Sequence, residues 1–290
     1  MRQHPYGNSG LMVSALGLGT IQIGAPDLEE SKVASLLNSA VDAGITLIDT
    51  APSYGRSEER IGQHLASRRN SIVISTKFGY GVEGQEDWTG PCITLGIDQA
   101  LRRLQTDRID IAHLHSCPRA TLERGDVIDA LERAKREGKV RTIAYSGDND
   151  DLAYAVSTGR FDGFMASLNI CDQRVIDEAL ANIKGHGFIA KRPAANHPWR
   201  FKEQPTGDYE EYWLRWHAMG LSSHGRDWGE IAIRFALTPP QVSSAIIGTS
   251  SVAHLQQNIA WAGADGLSAD WFEEIRASFR QHDRGWRGQV

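Results

Sequence analysis

Four side chains that together can move a proton stand at or near the ends of β-like runs. Asp49 is the next-to-last residue of the run TLIDT, Lys77 ends SIVISTK and His115 ends RIDIAHLH, while Tyr54 follows in the turn APSYG. A free phenol is a poor acid at neutral pH because its pKa is about 10, and an adjacent ammonium makes it a better one by favouring the phenolate. We therefore expect Tyr54 to be a proton donor that Lys77 and Asp49 tune. We expect His115 to hydrogen-bond a substrate oxygen.

Each of these residues also has an explanation without chemistry. An Asp at the end of a strand often caps a turn, and a Lys there often extends into solvent. His113, two residues before His115, faces the same side of its strand, so either histidine is a candidate. We favour His115 because the later residue lies nearer the carboxyl end of the strand.

The chain alternates short β-like runs with longer segments of helical period. The eight strand candidates are residues 14–20, 46–50, 71–77, 108–115, 140–146, 161–169, 187–192 and 243–249. Segments with helical spacing, such as LEESKVASLLNSAVDAG, lie between them. Gly44, Gly138 and Gly187 mark joins between helix and strand, where a left-handed glycine often ends the helix.

Strands separated by helices pair in parallel, since a parallel crossover needs a dozen or more residues. Eight such units in about 250 residues match an α/β (β/α)8 TIM barrel, in which reactive side chains come from the carboxyl ends of the strands. A doubly wound open sheet is the competitor, but LGLGTIQIG lacks the GxGxxG spacing of its phosphate loop. We expect residues 1–290 to form one domain, with an N-terminal hairpin and an extra C-terminal helix over LSADWFEEIRASFRQH.

Composition and charge narrow the class of protein. The 290 residues are 41% hydrophobic and 23% charged, which is typical of a globular protein. A net charge of −5 with scattered basic residues argues against a nucleic-acid partner. Cys92, Cys117 and Cys171 lack CxxC spacing, so we expect neither a metal site nor a disulfide framework. No apolar run reaches the length of a membrane helix and MRQHPYGNSG lacks the apolar core of a signal peptide, so we expect a cytoplasmic protein.

The stretch DAGITLIDTAPSYGRSEERIG resembles the signature of the aldo-keto reductase family, G-x-x-x-x-D-T-A-x-x-Y-G-x-S-E. Similar stretches run through the chain: SGLMVSALGLGT, VISTKFG, TDRIDIAHLHS, GKVRTIAYS and WGEIAIRFALTPPQVSSAIIGTS. The resemblance implies a barrel in which Tyr54 donates the proton and Lys77 and Asp49 tune it. His115 would then orient the carbonyl. The implied reaction is reduction of a small aldehyde or ketone, or the reverse oxidation, with NADPH as the usual cofactor and NADH as the second choice.

The resemblance also assigns rim residues to the cofactor. Gly19 and Thr20 end the first strand and suit a backbone contact, and GTSSVAHLQQN looks like the loop and helix that receive the adenosine phosphate. The full set is Gly19, Thr20, Asp49, Ser146, Asn169, Lys191, Arg192, Gly248, Thr249, Ser250, His254, Gln257 and Asn258.

Several positions depart from the family pattern. Gly147 stands where Asn is common, and Lys191 and Arg192 stand where many members stack an aromatic ring on the nicotinamide. We expect these cations to hold a phosphate or an acidic substrate instead. Gly248 and His254 replace a Lys and Arg pair typical of strong NADPH binders, which leaves the choice between NADPH and NADH open.

We expect Trp88 and Trp199 to wall an apolar pocket for a small carbonyl compound, in a monomer or a small homo-oligomer. Two alternatives stay open. The first is a Schiff-base aldolase with Lys77 as nucleophile, which the neighbouring Asp49 disfavours because it holds the amine protonated. The second is a non-catalytic regulatory subunit that binds the nicotinamide cofactor, which the departures at Gly147 and Lys191 favour.

Overall fold

An antiparallel hairpin opens the chain in the computed structural model, which describes residues 1–289. Its strands are β1 (Gln3–Pro5) and β2 (Met12–Ser14). Between them, Tyr6 packs so closely on the chain that a Cβ at Gly163 or Gly187 would lie 2.1 or 2.2 Å from its side chain. The two glycines therefore leave space for the ring of Tyr6, and the predicted hairpin closes one end of the barrel.

Eight parallel strands form a closed barrel. They are β3 (Leu16–Gly19), β4 (Leu47–Asp49), β5 (Val73–Phe78), β6 (Ile109–His115), β7 (Val140–Ser146), β8 (Gly163–Ser167), β9 (Gly187–Lys191) and β10 (Ser244–Gly248). The barrel closes where β10 pairs with β3, Ala245 opposite Leu16. Each strand overlaps one of the eight predicted runs, so the TIM barrel is confirmed and the open doubly wound sheet is excluded.

Helices join the strands and cover the barrel. They are α1 (Glu30–Asp42), α2 (Ser57–Leu65), α3 (Gly90–Arg103), α4 (Arg119–Arg124), α5 (Asp126–Arg136), α6 (Asn149–Ser157), α7 (Arg174–Glu178), α8 (Glu210–Met219), α9 (Trp228–Ala236), α10 (Val252–Gly263) and α11 (Ala269–His282). α11 is the predicted extra helix, and it buries Ile275 and Phe279, four residues apart on one face. Within residues 1–289, no helix has both the length and the apolar character needed to cross a membrane.

Left-handed glycines end two of the predicted helix-to-strand joins. Gly44 has φ +85° and Gly138 has φ +78°, as expected. Gly187 begins β9 at the predicted residue, but the left-handed conformation expected there is wrong, because Gly187 is not among the glycines with positive φ. A 3-10 turn, Leu180–Asn182, follows α7, and the chain reverses at Gly185, with φ +81°.

The side chains that point into the barrel are apolar in its interior and polar at the carboxyl ends of the strands, which form the rim. Leu47, Val73, Ile111, Ala144, Met165 and Ile189 form one buried cluster inside the barrel. Residues two or four positions later share their orientation because side chains alternate along a strand. They are Asp49, Ser75, Lys77, His113, His115, Ser146, Ser167 and Lys191. The fold therefore gathers polar side chains from six neighbouring strands at the carboxyl end of the barrel.

Candidate active site

Lys77 and Asp49 form a buried ion pair at the ends of neighbouring strands. Lys77 Nζ lies 2.7 Å from Asp49 Oδ2 and donates to the carbonyl of Thr50 at 2.8 Å, while the two side chains are only 3% and 2% exposed. Asp49 Oδ1 accepts a hydrogen bond from Ser75 at 2.8 Å. Burial lowers the pKa of Lys77, but the interactions of Lys77 with Asp49 and Tyr54 outweigh burial, so that pKa is raised. The ammonium is therefore held charged and in a fixed position.

Tyr54 is half-buried on the loop between β4 and α2 and lies over that ammonium. Lys77 Nζ is 4.9 Å from the centroid of the phenol ring. A 3-10 turn, Gln22–Gly24, supports the loop, because Arg56 N donates to Gly24 O at 3.1 Å. Buried Arg60 in turn holds Ile23 O at 2.6 Å, which fixes the turn beneath the phenol.

Of the two candidate histidines, His115 faces the phenol. Its ring is perpendicular to that of Tyr54, with centroids 6.2 Å apart, and it is partly exposed. Burial, Lys77 and Lys191 lower the pKa of His115 to about 3, so the imidazole is neutral. His113 is fully buried one layer below, where Nε2 lies 3.0 Å from Ser75 Oγ. Only His115 is thus open to a ligand at the rim.

Ser146 and Asn169, the residues expected to contact the nicotinamide, differ in the hydrogen bonds that their side chains make. Ser146 is only 2% exposed, and within residues 1–289 its Oγ makes no hydrogen bond. Asn169 donates to Arg192 O at 3.0 Å and accepts from Cys171 N at 2.8 Å, so its amide braces a loop. The hydroxyl of Ser146 therefore has no competing partner among these residues, whereas the amide of Asn169 is already used within its own loop.

Lys191 and Arg192 have partners within the protein. Lys191 Nζ lies 2.6 Å from Asp148 Oδ2, and burial lowers the pKa of Lys191 although Asp148 opposes this effect. Arg192 donates to Ser167 Oγ at 3.2 Å and to the carbonyl of Gln289. A phosphate or an acidic substrate would therefore have to compete with Asp148 for Lys191.

The ends of β10 and β3, next to β9 in the barrel, carry the residues expected at the adenosine end. Gly19 and Gly248 pair at the ends of β3 and β10, and Thr20 Oγ1 donates to Asp49 O at 2.8 Å. Ser251 caps α10 by accepting from His254 N at 3.4 Å. Around this helix start, Thr249 and Asn258 are buried, whereas Ser250, His254 and Gln257 are exposed. The helix start thus presents backbone N–H groups and polar side chains that suit an anion.

The two tryptophans expected in the pocket lie in different surroundings. Trp88 is 5.7 Å from the ring of Tyr80, which itself contacts His115. Trp199 packs against Trp228 at 6.2 Å, near the start of α9. Trp88 therefore reaches His115 through the ring of Tyr80, whereas the ring contacts of Trp199 are with His197 and Trp228.

Three side chains that matter to the geometry were not predicted. Ser75 lies two residues before Lys77, so strand alternation alone could have placed it beside Asp49. Tyr80 and Asp148 lie in loops, and no local pattern in the sequence indicates that they meet His115 and Lys191.

Known proteins resemble this chain over most of its length. The model of the Aldo/keto reductase family matches residues 15–279. L-galactose dehydrogenase from Arabidopsis thaliana is 31% identical over 88% of this chain and 86% of its own. D-threo-aldose 1-dehydrogenase from a Pseudomonas species is 27% identical, covering 93% and 95%. The solved holo form of an aldo-keto reductase from Bacillus halodurans superimposes with a TM-score of 0.83 at 26% identity, covering 96% of each chain.

Proposed function

We propose a function from one premise: this chain belongs to the aldo/keto reductase family, as its sequence motifs predicted. It is therefore an NAD(P)-dependent oxidoreductase. The proposed reaction reduces a small aldehyde or ketone to an alcohol, or runs in reverse. The nicotinamide, when bound, supplies the hydride that adds to the carbonyl carbon.

The observation that carries the proposal is the ammonium of Lys77 held between Asp49 and the ring of Tyr54. As the carbonyl oxygen gains negative charge, the Tyr54 hydroxyl gives it a proton, and the phenolate left behind is stabilised by Lys77. Asp49 keeps Lys77 charged and oriented. Neutral His115 donates a hydrogen bond to the same oxygen, so the oxygen is fixed between two donors.

The same ion pair weighs against the aldolase alternative. A Schiff-base lysine needs a neutral amine, which is usually obtained by lowering the pKa of that amine. The pKa of Lys77 is instead raised by Asp49 and Tyr54. Lys77 therefore acts as a fixed positive charge in the proposed mechanism.

We propose that the cofactor extends across the rim from Ser146 to the start of α10. Ser146 and the backbone braced by Asn169 would hold the carboxamide. The first turn of α10 would hold the adenosine phosphate, with the other predicted residues lining the path between them: Gly19, Thr20, Asp49, Lys191, Arg192, Gly248, Thr249, Ser250, His254, Gln257 and Asn258. The pocket walls at Trp88 and Trp199, the cytoplasmic location and the monomeric or small homo-oligomeric state remain predictions.

Cofactor binding and turnover test this function together. We expect NADPH or NADH fluorescence to titrate with the protein, and NADPH to be consumed when 4-nitrobenzaldehyde is added. Because two relatives are named as dehydrogenases of sugars, the reverse assay takes NADP⁺ or NAD⁺ with L-galactose and other aldoses. Binding without turnover across carbonyl compounds and aldoses would favour the regulatory subunit, and binding of neither cofactor would contradict the proposal.

A further inference from the structure

Tyr80, which has no role in the proposed mechanism so far, is bound to the imidazole of His115. It lies two residues after β5, and its Oη is 2.9 Å from His115 Nδ1. The two rings also stack, with centroids 5.5 Å apart and planes at 24°. One residue therefore fixes both the position of the imidazole and the partner of one ring nitrogen.

The chemistry of the two groups sets the direction of this hydrogen bond. A phenol is a better donor than a neutral imidazole N–H, and an unprotonated imidazole nitrogen is a better acceptor than a phenol oxygen. Tyr80 Oη could instead donate to Ser53 Oγ, but that distance is 3.5 Å, at the outer limit of a hydrogen bond, against 2.9 Å to His115 Nδ1. The phenol proton of Tyr80 is therefore directed to Nδ1 of His115.

A neutral imidazole carries one proton, and the hydrogen bond that one nitrogen makes determines where that proton lies. Burial and the cations Lys77 and Lys191 keep His115 neutral. If Nδ1 accepts a hydrogen bond from Tyr80, the single proton of the imidazole must therefore be on Nε2. In the other tautomer, Nε2 would present a lone pair to the carbonyl oxygen and repel it.

The surrounding loop holds Tyr80 in this position. The ring of Trp88 packs against Tyr80 at 5.7 Å, and Trp88 N donates to Gly79 O at 2.6 Å. A Cβ at Gly79 would lie 2.1 Å from the Trp88 ring, so this packing requires glycine there. Arg124 then anchors the loop by donating to Trp88 O at 2.7 Å.

We propose that Tyr80 is a positioning residue that holds His115 in the Nε2–H tautomer, with Nε2 aimed at the oxygen of the substrate carbonyl. This inference rests on the proposed function for its consequence in turnover. The tautomer itself is a property of the protein without substrate.

The test replaces Tyr80 with Phe, which keeps the stacked ring and removes only the hydroxyl. Nitrogen NMR of histidine-labelled protein reports the tautomer, and His115→Gln identifies the His115 signals. We expect Nε2–H in the wild type and a mixture of tautomers in Tyr80→Phe. Turnover should fall by about ten-fold, the lower end of the loss seen when the partner that orients a metal-binding histidine is removed. Ser53→Ala, the control at the weaker contact, keeps the wild-type tautomer.

A second readout separates positioning from a general loss of structure. In a His115→Gln background, Tyr80→Phe should cause no further loss of turnover, because no imidazole is left to orient. Wild-type His115 in the Nδ1–H form, or identical His115 signals in wild type and Tyr80→Phe, would overturn the inference. If the wild type turned over no substrate, the proposed function would fail, while the NMR comparison would still decide the role of Tyr80.

Discussion

The ammonium of Lys77 and the carboxylate of Asp49 are both withdrawn from water, so each depends on the other for its charge to be tolerated. This dependence makes the pair a structural element of the barrel as well as part of the proposed proton donor. Its two roles can be separated, because stability and turnover respond differently when both charges are removed.

We expect Lys77→Met to lower the free energy of unfolding by about 3–5 kcal/mol, because Asp49 is left as a buried charge without its cation. The double variant Lys77→Met with Asp49→Asn should recover part of that loss, since the amide oxygen can still accept from Ser75. Urea denaturation measures both. A double variant no more stable than Lys77→Met would contradict this account. Turnover should be lost in both variants, because neither keeps the ammonium beside Tyr54.

The lowered pKa of His115 makes stability depend on pH. The pKa of His115 is about 3 in the folded protein and 6.5 ordinarily. Between these pH values the unfolded chain binds a proton at His115 and the folded protein does not. The stabilisation is complete above pH 6.5 and is lost as pH falls towards 3. Between pH 6.5 and pH 5, we expect the free energy of unfolding of His115→Gln, measured by urea denaturation, to fall by about 1.6 kcal/mol less than that of the wild type. Equal losses would show that His115 is not kept neutral by the fold.

At the residue level, the sequence predicted which side chains lie at the strand ends but not all of their partners. Strand alternation places Asp49, Lys77 and His115 on the inner face of the barrel. The contacts of Tyr80 and Asp148 depend on loop paths, which tertiary packing sets. This is why the ion pair of Lys191 was not foreseen.

The Gln22–Gly24 turn and the loop of Tyr54 touch through their backbones. A Cβ at Gly24 would lie 1.7 Å from Tyr54 O, so the close approach of the two segments requires glycine. The position of the phenol is thus coupled to an element that follows β3, far from Tyr54 in sequence.

We expect Gly24→Ala to push the Tyr54 loop away and to reduce turnover by about a hundred-fold, the size of loss that a displacement of about 1 Å causes at an active site. Gly263→Ala at the end of α10 is the matched control, because a Cβ there meets nothing within 4 Å and should leave turnover unchanged. Steady-state assays of both variants decide the matter. Wild-type turnover in Gly24→Ala would show that the phenol does not depend on this contact.

Both ends of the described chain are built into the barrel. The hairpin with Tyr6 closes the amino ends of β8 and β9. Near the other terminus, Gln289 N donates to Asp172 Oδ2 at 3.0 Å and Gln289 O accepts from Ser167 Oγ at 2.7 Å. Contacts between residues more than 100 positions apart leave no local pattern in the sequence. The helices and strands could be predicted because their periodicity is local.

Because these contacts connect the chain from end to end, we propose that residues 1–290 form a single domain and unfold in one transition. Thermal unfolding followed by circular dichroism and by tryptophan fluorescence should give the same midpoint. Two separated transitions would contradict a single domain.

The most direct test of the proposed proton donor is a single-turnover experiment. The complex of protein and NADPH is mixed rapidly with 4-nitrobenzaldehyde, and oxidation of the nicotinamide is followed by absorbance. Tyr54→Phe should bind NADPH as the wild type does and lose at least roughly a hundred-fold in the rate of this step, because the proton donor is gone. Tyr209→Phe, at an exposed ring packed on Phe201, should match the wild type. An undiminished rate in Tyr54→Phe would contradict the role of Tyr54 as proton donor.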